Sequence, residues 1–532
     1  FTVPKQCLVA PSRALHCLMP GKRRKRAGKE EAQATTEAEQ AEEAPAEAQE
    51  EVVASSGKKR KKAQAGSAAT KQKQEDDNED DMGEFEDDEE DDDEEEDIVD
   101  AQAGEYNEDE EEEEEEGDQP RIFRPGVDEV LEGEQLDVEP GTYHMLHRAQ
   151  VEWPCLSFDV VRDDLGAQRT SYPMTAYVVA GSQAEQATDN RIYMMKWSNL
   201  RKTAKDGKED SDDEEEDEDS GSDSDSESGE AVLEYKGVTH PGAVNRIRCM
   251  PQACHIVATW ADSGKVHMWN LEAQRRALDK PGEKAPVNAK PIFSCEAHKD
   301  EGYALDFSPH NTGRFLSGSN DGVIFLWDPV MGGWNVQASN AFRGHTASVE
   351  DLQWKRSGVG TGSLFASASS DKSVRVWDVR EQNRDKSAVH IAEAHPDHVN
   401  VLSWNPCVGE LLATAGDDGG FKVWDTRNIG AGPMANFNWH KKPICSIDWH
   451  PTDETTLVLA SEDETVSLWD MAVEDDRADG MSVPGEEHYP VQLMFLHMGQ
   501  QDPKEVRWHP QLPGVCICTA ASGFNIFKTC NM

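Results

Sequence analysis

The sequence predicts an all-β protein: a seven-bladed β-propeller with a short N-terminal helix and long disordered acidic segments. Three observations predict it. One phrase recurs, most clearly as LFASASSDKSVRVWD at 364–378, an alternating strand, a tight turn at Asp371 and a second alternating strand. Related phrases end at Asp328, Asp425 and Asp470, with looser copies ending at Asn270 and near the C-terminus. The closing aromatics are Trp197, Trp269, Trp327, Trp377, Trp424, Trp469 and Phe527, and from Trp327 to Trp469 they step by 50, 47 and 45 residues. That is close to the roughly 40–45 residues of one four-stranded blade. An upstream histidine precedes each turn aspartate at similar distance: His298 with Asp321, His345 with Asp371, His395 with Asp418, His440 with Asp463.

Each strand alternates apolar and polar residues and so buries one face. A lone sheet cannot cover that face, whereas radial stacking covers each sheet with its neighbours. The phrases resemble those of WD-repeat proteins. In that family the histidine, a strand Ser or Thr, the aspartate and the tryptophan form a hydrogen-bonded chain within the blade. The resemblance gives these histidines a structural role, not one in catalysis or metal binding.

The net charge of −52 is unevenly placed. Residues 75–118 contribute −31 and residues 206–230 contribute −14, which leaves −7 for the rest. A mildly acidic body therefore carries two strongly acidic segments. No apolar run approaches the roughly 18 residues of a membrane-spanning helix. The eleven cysteines contain no CxxC pair, so zinc spacing is absent. Cys516 and Cys518 alternate on a predicted strand and share a face, as buried free thiols in a reducing compartment would.

Residues 1–18 look unrelated to the remainder of the chain, and Met19 looks like a natural start. Residues 1–120 are predicted to be a disordered tail, too poor in apolar residues to offset ordering entropy. The tail holds two basic clusters, Lys22-Arg23-Arg24-Lys25-Arg26 and Lys58-Lys59-Arg60-Lys61-Lys62. Such runs act as nuclear-import signals or nucleic-acid patches, or are simply solvated charge. The acidic run from Glu75 to Asp118 is either a solubilising tail or a bait for a very basic client. Capture by such a run weakens steeply with salt, because the Debye length is about 8–10 Å.

Residues 121–154 are predicted to be an N-terminal helical segment. A short helix is expected at 128–137, and a second, amphipathic one from Tyr143 to Trp153 after a Thr142 cap. Trp153 and Pro154 then fix a corner. The propeller occupies 155–532. The alternating stretch 155–161 is expected to join the C-terminal blade beside Phe527 and so close the ring. Blades follow at 232–270, 291–328, 341–378, 388–425, 434–470 and 490–527, with 273–290 as a solvated linker.

At both ends of this region the resemblance becomes specific. GTYHMLHRAQVEWPCLSFDVVRDDLG, followed by YVVAGSQA, looks like the N-terminal signature of the histone-binding WD-repeat family. The Glu-rich flank and LHMGQQDPKEVRWHPQLPGVCICTAASGFNIFKT resemble its glutamate-rich, ribosome-assembly branch. The resemblance implies a client helix gripped on the propeller's side by an N-terminal helix and an acidic loop. It also implies a basic client: a newly made large-subunit ribosomal protein in the nucleolus, with core histones as the alternative, and pre-ribosomal particles as partners. No cofactor is implied.

Two insertions bear on that function. Residues 203–231 form a predicted disordered acidic insertion with candidate phosphorylation sites at Ser211, Ser220, Ser222, Ser224, Ser226 and Ser228. Residues 472–490 form an acidic loop at the position of the family's client-gripping loop. Asp475, Asp476, Asp479, Glu486 and Glu487 are its candidate contacts to client Lys or Arg. Candidate apolar anchors are Leu146 and Met494 or Phe495.

No GxxxxGK[ST], GxSxG or HExxH occurs, so the sequence points to a non-enzymatic protein. WHP at His450-Pro451 and His509-Pro510 recurs with Asn405-Pro406 and Ser308-Pro309, which reads as turn chemistry after a strand. A competing role rests on Trp377-Asp378-Val379-Arg380 and Trp424-Asp425-Thr426-Arg427. These resemble the WDxR element by which some propellers dock on cullin–RING ubiquitin ligases, and they single out Arg380 and Arg427.

Overall fold

The computed structural model describes residues 141–203, 230–474 and 489–532. The predicted tail, the helix at 128–137, both basic clusters, the candidate phosphoserines and the five loop carboxylates lie outside the described residues. The described residues form a seven-bladed propeller of antiparallel sheets. Blades 1 to 6 span 155–239, 244–295, 304–343, 349–391, 399–437 and 444–497. Blade 7 is built from the strands between 503 and 529 and from the strand Tyr143–Ala149. Every closing aromatic lies on the third strand of its blade, and none is more than 4% exposed.

The blades are offset from the repeats by one strand. Val389–Ile391 precedes the Trp424 phrase in sequence, yet it pairs with Val374–Asp378 as the outer strand of blade 4. Each covalent repeat thus supplies one blade's outer strand and the next blade's inner three, which ties neighbours together. The offset leaves blade 7 one strand short.

That vacancy corrects two sequence expectations. Tyr143–Ala149 is not a helix but a strand, paired antiparallel to Gly523–Thr529 with Leu146 opposite Phe527. It closes the ring. Cys155–Val160 does not join the C-terminal blade; it is the inner strand of blade 1, paired with Met174–Ser182. Tyr143 and Met145 are buried on alternate positions, the period of a strand. Seven apolar-to-polar positions fit either period, and the open edge of blade 7 selects the extended form.

The only helix of eight residues among those described, Glu272–Asp279, lies in the stretch expected to be a solvated linker. It buries Gln274, Ala277 and Leu278, and its Arg275 guanidinium stacks 3.5 Å from the centre of the Tyr177 ring. Asp279 accepts from the Tyr177 hydroxyl at 2.6 Å. Docking on blade 1 stabilises a helix whose own apolar content is slight.

Inner strands are joined around the channel, each to the next. The carboxylates of Asp159, Asp306, Asp351 and Asp448 accept the backbone N–H of Cys249, Trp354, Leu402 and Trp508, at 2.7–3.1 Å. Arg246 donates to the Tyr303 carbonyl and Asn400 to the Ile444 carbonyl. Glu505 completes the circle, accepting from Phe158 N–H at 3.0 Å and the Ser157 hydroxyl at 2.7 Å. Arg248, Arg507 and Arg246 surround that carboxylate at 2.7, 3.1 and 3.4 Å. Burial alone would raise its pKa; the three guanidiniums outweigh burial and hold it well below the usual carboxylate range.

The histidine chains form in blades 4, 5 and 6. His345 bridges Asp371 at 3.0 Å and Ser367 at 2.6 Å, and Trp377 donates to the same Ser367 at 2.8 Å. His395 does the same with Asp418, Thr414 and Trp424. In blade 6 the hydroxyl comes from Ser467, on the tryptophan's own strand. Blade 3 departs from expectation. His298 reaches Ser317 at 2.6 Å, but its Nδ1 has no partner and Asp321 instead accepts from Ser319.

The strand-end turns match their sequence reading. In each, one side chain accepts two successive backbone N–H groups: His450 from Thr452 and Asp453, His509 from Gln511 and Leu512, Asn405 from Cys407 and Val408, Ser308 from His310 and Asn311. Cys516 and Cys518 are buried in one cluster. All nine described cysteines are free, and Cys407 and Cys530 are exposed rather than buried.

Candidate client-binding seam

The two groups of predicted apolar anchors come from chain segments about 350 residues apart. Leu146 lies on the outer strand of blade 7, and Met494 and Phe495 on the outer strand of blade 6. All three are partly buried and pack, with Met532, against one cluster that includes Tyr143, Leu468, Trp508 and Phe527. They form an apolar seam between the two blades.

Its floor is braced by a buried polar chain. The Tyr143 ring meets Phe495 edge-on at 5.2 Å. The His497 ring stacks on Phe527 at 4.2 Å. The Asn525 amide donates to His497 Nε2 at 2.9 Å, so the proton is on Nδ1, which donates to the Tyr143 oxygen at 2.7 Å. Burial lowers the His497 pKa to about 3, so the ring is neutral. The floor is uncharged.

The acidic connection 475–488 links the third and outer strands of blade 6. Its base is closed where the Gln492 amide donates to the Val473 carbonyl at 2.9 Å, and Asp470 N–H donates to the Gln492 carbonyl at 2.9 Å. The chain thus leaves and rejoins the fold beside Leu493–His497. Sequence reading misses Tyr143, His497 and Gln492 as parts of this site. Its pattern puts Tyr143 on a helix, and His497 lacks the spacing of the other histidines. Trp153 is half-buried in the turn between the closing strand and blade 1, where the Pro154 carbonyl accepts from Gln183 N–H at 2.8 Å.

Arg380 and Arg427 stand apart from the seam, on blades 4 and 5. Each folds its guanidinium onto the aspartate two residues earlier, Asp378 or Asp425, in a two-pronged pair closing to 2.6 or 2.7 Å. Both side chains are about 70% exposed, at 68% and 70%. Among the described residues one group, Asp397, His398 and Asp417, brings three potential metal donors within 4.8 Å of one another. It is solvent-accessible, and Lys372 already lies 3.8 Å from Asp397.

Comparison with known proteins agrees with this architecture. The family model for the histone-binding protein RBBP4, which also covers a component of the CAF1 complex, matches residues 133–201, a range that includes the closing strand. The WD-domain, G-beta repeat model matches 289–328, 336–378, 386–425 and 432–470. The ribosome assembly protein rrb1 of Schizosaccharomyces pombe is 40% identical over 74% of this chain and 82% of its own. The glutamate-rich WD repeat-containing protein 1 of Dictyostelium discoideum is 41% identical over 77% of this chain and 85% of its own. The chain belongs to the glutamate-rich WD-repeat proteins of the histone-binding WD-repeat family. The Arabidopsis thaliana family member named HEAT STRESS TOLERANT DWD 1 is 41% identical over 77% and 92%.

Proposed function

We propose that this protein is a non-enzymatic escort and assembly factor for a very basic client in ribosome biogenesis, acting in the nucleus and nucleolus. The client in this reading is a newly made large-subunit ribosomal protein, delivered to pre-ribosomal particles. The observation that carries the reading is the convergence of Leu146, Met494 and Phe495 at the foot of the acidic connection. An amphipathic helix laid along the seam buries its apolar stripe there, while Asp475, Asp476, Asp479, Glu486 and Glu487 meet its Lys and Arg. The acidic runs at 75–118 and 206–230 shield the client's remaining charge until RNA displaces them. The setting comes from the relatives, one of which is named as a ribosome assembly protein.

The test is capture of endogenous basic proteins by the full chain, with crosslinking mass spectrometry to identify the client. Leu146→Asp with Phe495→Ala is expected to abolish capture while the ring stays folded. Undiminished capture overturns the seam, and crosslinks to no ribosomal protein overturn the client.

A second reading, a histone chaperone, is favoured by the family model that covers the closing strand. It uses the same seam, so competition between purified core histones and a ribosomal protein decides between the two. A third reading, ligase substrate receptor, draws on the exposure of Arg380 and Arg427. Arg380→Ala with Arg427→Ala removes ligase co-purification and spares client capture if it holds.

A further inference from the structure

The seam has a second flank, on the blade 1 side. After the third strand of blade 1, residues Arg201–Thr203 run along the outer edge of the closing strand Tyr143–Ala149. Thr203 N–H donates to the His144 carbonyl at 2.9 Å. The Leu146 N–H donates to the Thr203 hydroxyl at 2.8 Å, and that hydroxyl donates to the Leu146 carbonyl at 3.2 Å. His147 Nε2 lies 2.9 Å from the Arg201 carbonyl. The closing strand is therefore hydrogen-bonded on both edges, to Gly523–Thr529 on one side and to this strip on the other. One side chain, Thr203, satisfies both backbone groups of Leu146 on an edge that would otherwise face water.

The strip is itself fixed. Asn199 adopts a left-handed backbone, φ 57, that suits Asn. Its amide oxygen accepts from Arg201 Nε at 2.9 Å, and its amide nitrogen donates to the Glu230 carbonyl at 2.9 Å. Glu230 and Thr203 are the two ends of the chain's second acidic insertion. That insertion joins the third and outer strands of blade 1, as the acidic connection at 475–488 does in blade 6. Blade 7, which carries Leu146, stands between them. The blade 1 insertion is thus rooted beside the closing strand.

We propose that Thr203 is a positioning residue of the client seam. It holds the backbone of Leu146 from the blade 1 side, so that the seam's apolar anchor is presented at fixed depth against Phe527 and Phe495. It matters in this way only if the seam takes a client as proposed above. The exposed hydroxyl does not need to touch the client: its effect passes through the closing strand.

The experiment uses the full chain carrying Thr203→Val, which keeps the shape and loses the hydroxyl, and Thr203→Ser, which keeps the hydroxyl. Hydrogen exchange at the Leu146 amide is read without any client. Affinity is read for a synthetic amphipathic helix of about 18 residues, Leu on one face and Lys on the other. Thr203→Val is expected to raise Leu146 exchange about three- to tenfold and to weaken the peptide by a similar factor, the scale of one lost hydrogen bond. Thr203→Ser is expected to behave as the wild type in both. Unchanged exchange in Thr203→Val overturns the proposal, as does raised exchange with unchanged affinity. Leu146→Asp runs alongside as the separate check on the seam. If it binds the peptide as the wild type does, the escort reading falls, whatever Thr203→Val does to exchange.

Discussion

Glu505→Gln tests how the ring is closed. The wild-type carboxylate is 1% exposed and faces Arg248, Arg507 and Arg246 at 2.7, 3.1 and 3.4 Å. The substitution keeps the shape and the acceptor for Phe158 N–H, but removes the negative charge from three guanidiniums. Breaking a buried ion pair costs about 3–5 kcal/mol, and the retained acceptor offsets about 1 kcal/mol of that. A loss of about 2–4 kcal/mol is expected. The solvated pair Lys265–Glu296, at 2.7 Å but 44% and 69% exposed, is the control, and Lys265→Ala there should leave stability essentially unchanged because solvent screens the pair. The assay is urea unfolding combined with local hydrogen exchange, which should show loosening first in blades 7, 1 and 2. The pH dependence has a fixed sign. A carboxyl with a depressed folded pKa stabilises above its unfolded value, about 4.3, and loses that contribution as pH falls through the folded value. The gap between wild type and variant should therefore be constant from about pH 5.5 to 8 and close below about pH 4. A gap under about 1 kcal/mol at pH 7, or one that widens in acid, refutes the reasoning.

Three further outcomes follow from the same geometry. Asp306 faces the channel with its pKa raised by burial to about 7, so its contribution is full below the unfolded value of about 3.9 and is lost as pH rises from there to the folded value; Asp306→Asn should flatten the stability profile between about pH 4 and 7, and an unchanged profile counts against it. Ser367→Ala leaves His345 Nε2 and the Trp377 N–H unpaired in a dry site, at a cost of about 2–5 kcal/mol; equilibrium unfolding measures it, and Ser367→Thr, which keeps the hydroxyl, should cost less. Deleting residues 75–118, which contribute −31 of the net charge, should weaken capture of polycationic proteins and flatten its salt dependence with the melting temperature unchanged, and a large fall in melting temperature would overturn that division of labour.

Much of the fold is legible in the sequence because a propeller repeats its signals. A tryptophan every 45 to 50 residues and a polar residue poised over each turn are local features. His450, His509, Asn405 and Ser308 each cap a turn formed within three residues of themselves, so neighbours in sequence decide the outcome. Tyr143–Ala149 reads wrongly as a helix for the opposite reason. Its partner strand lies about 380 residues away, and nothing within the segment announces it. The helix Glu272–Asp279 escapes sequence reading because its support comes from Tyr177 and Lys196 on another strand pair. Blade 3 shows the limit of motif reading: His298 and Asp321 stand at the expected spacing but do not meet.

The sequence by itself determined the blade count, the buried closing aromatics, the turn chemistry and the separation of acidic segments from a nearly balanced body. These follow from periodicity and composition, which act over short range. Only the tertiary structure decided which strand closes the ring and which strands face each other across blades 6 and 7. It also brought Leu146, Phe495 and Thr203 to one seam. The physical reason is that an unpaired strand edge and a half-covered apolar face take whichever distant segment satisfies them, and that choice depends on the whole ring.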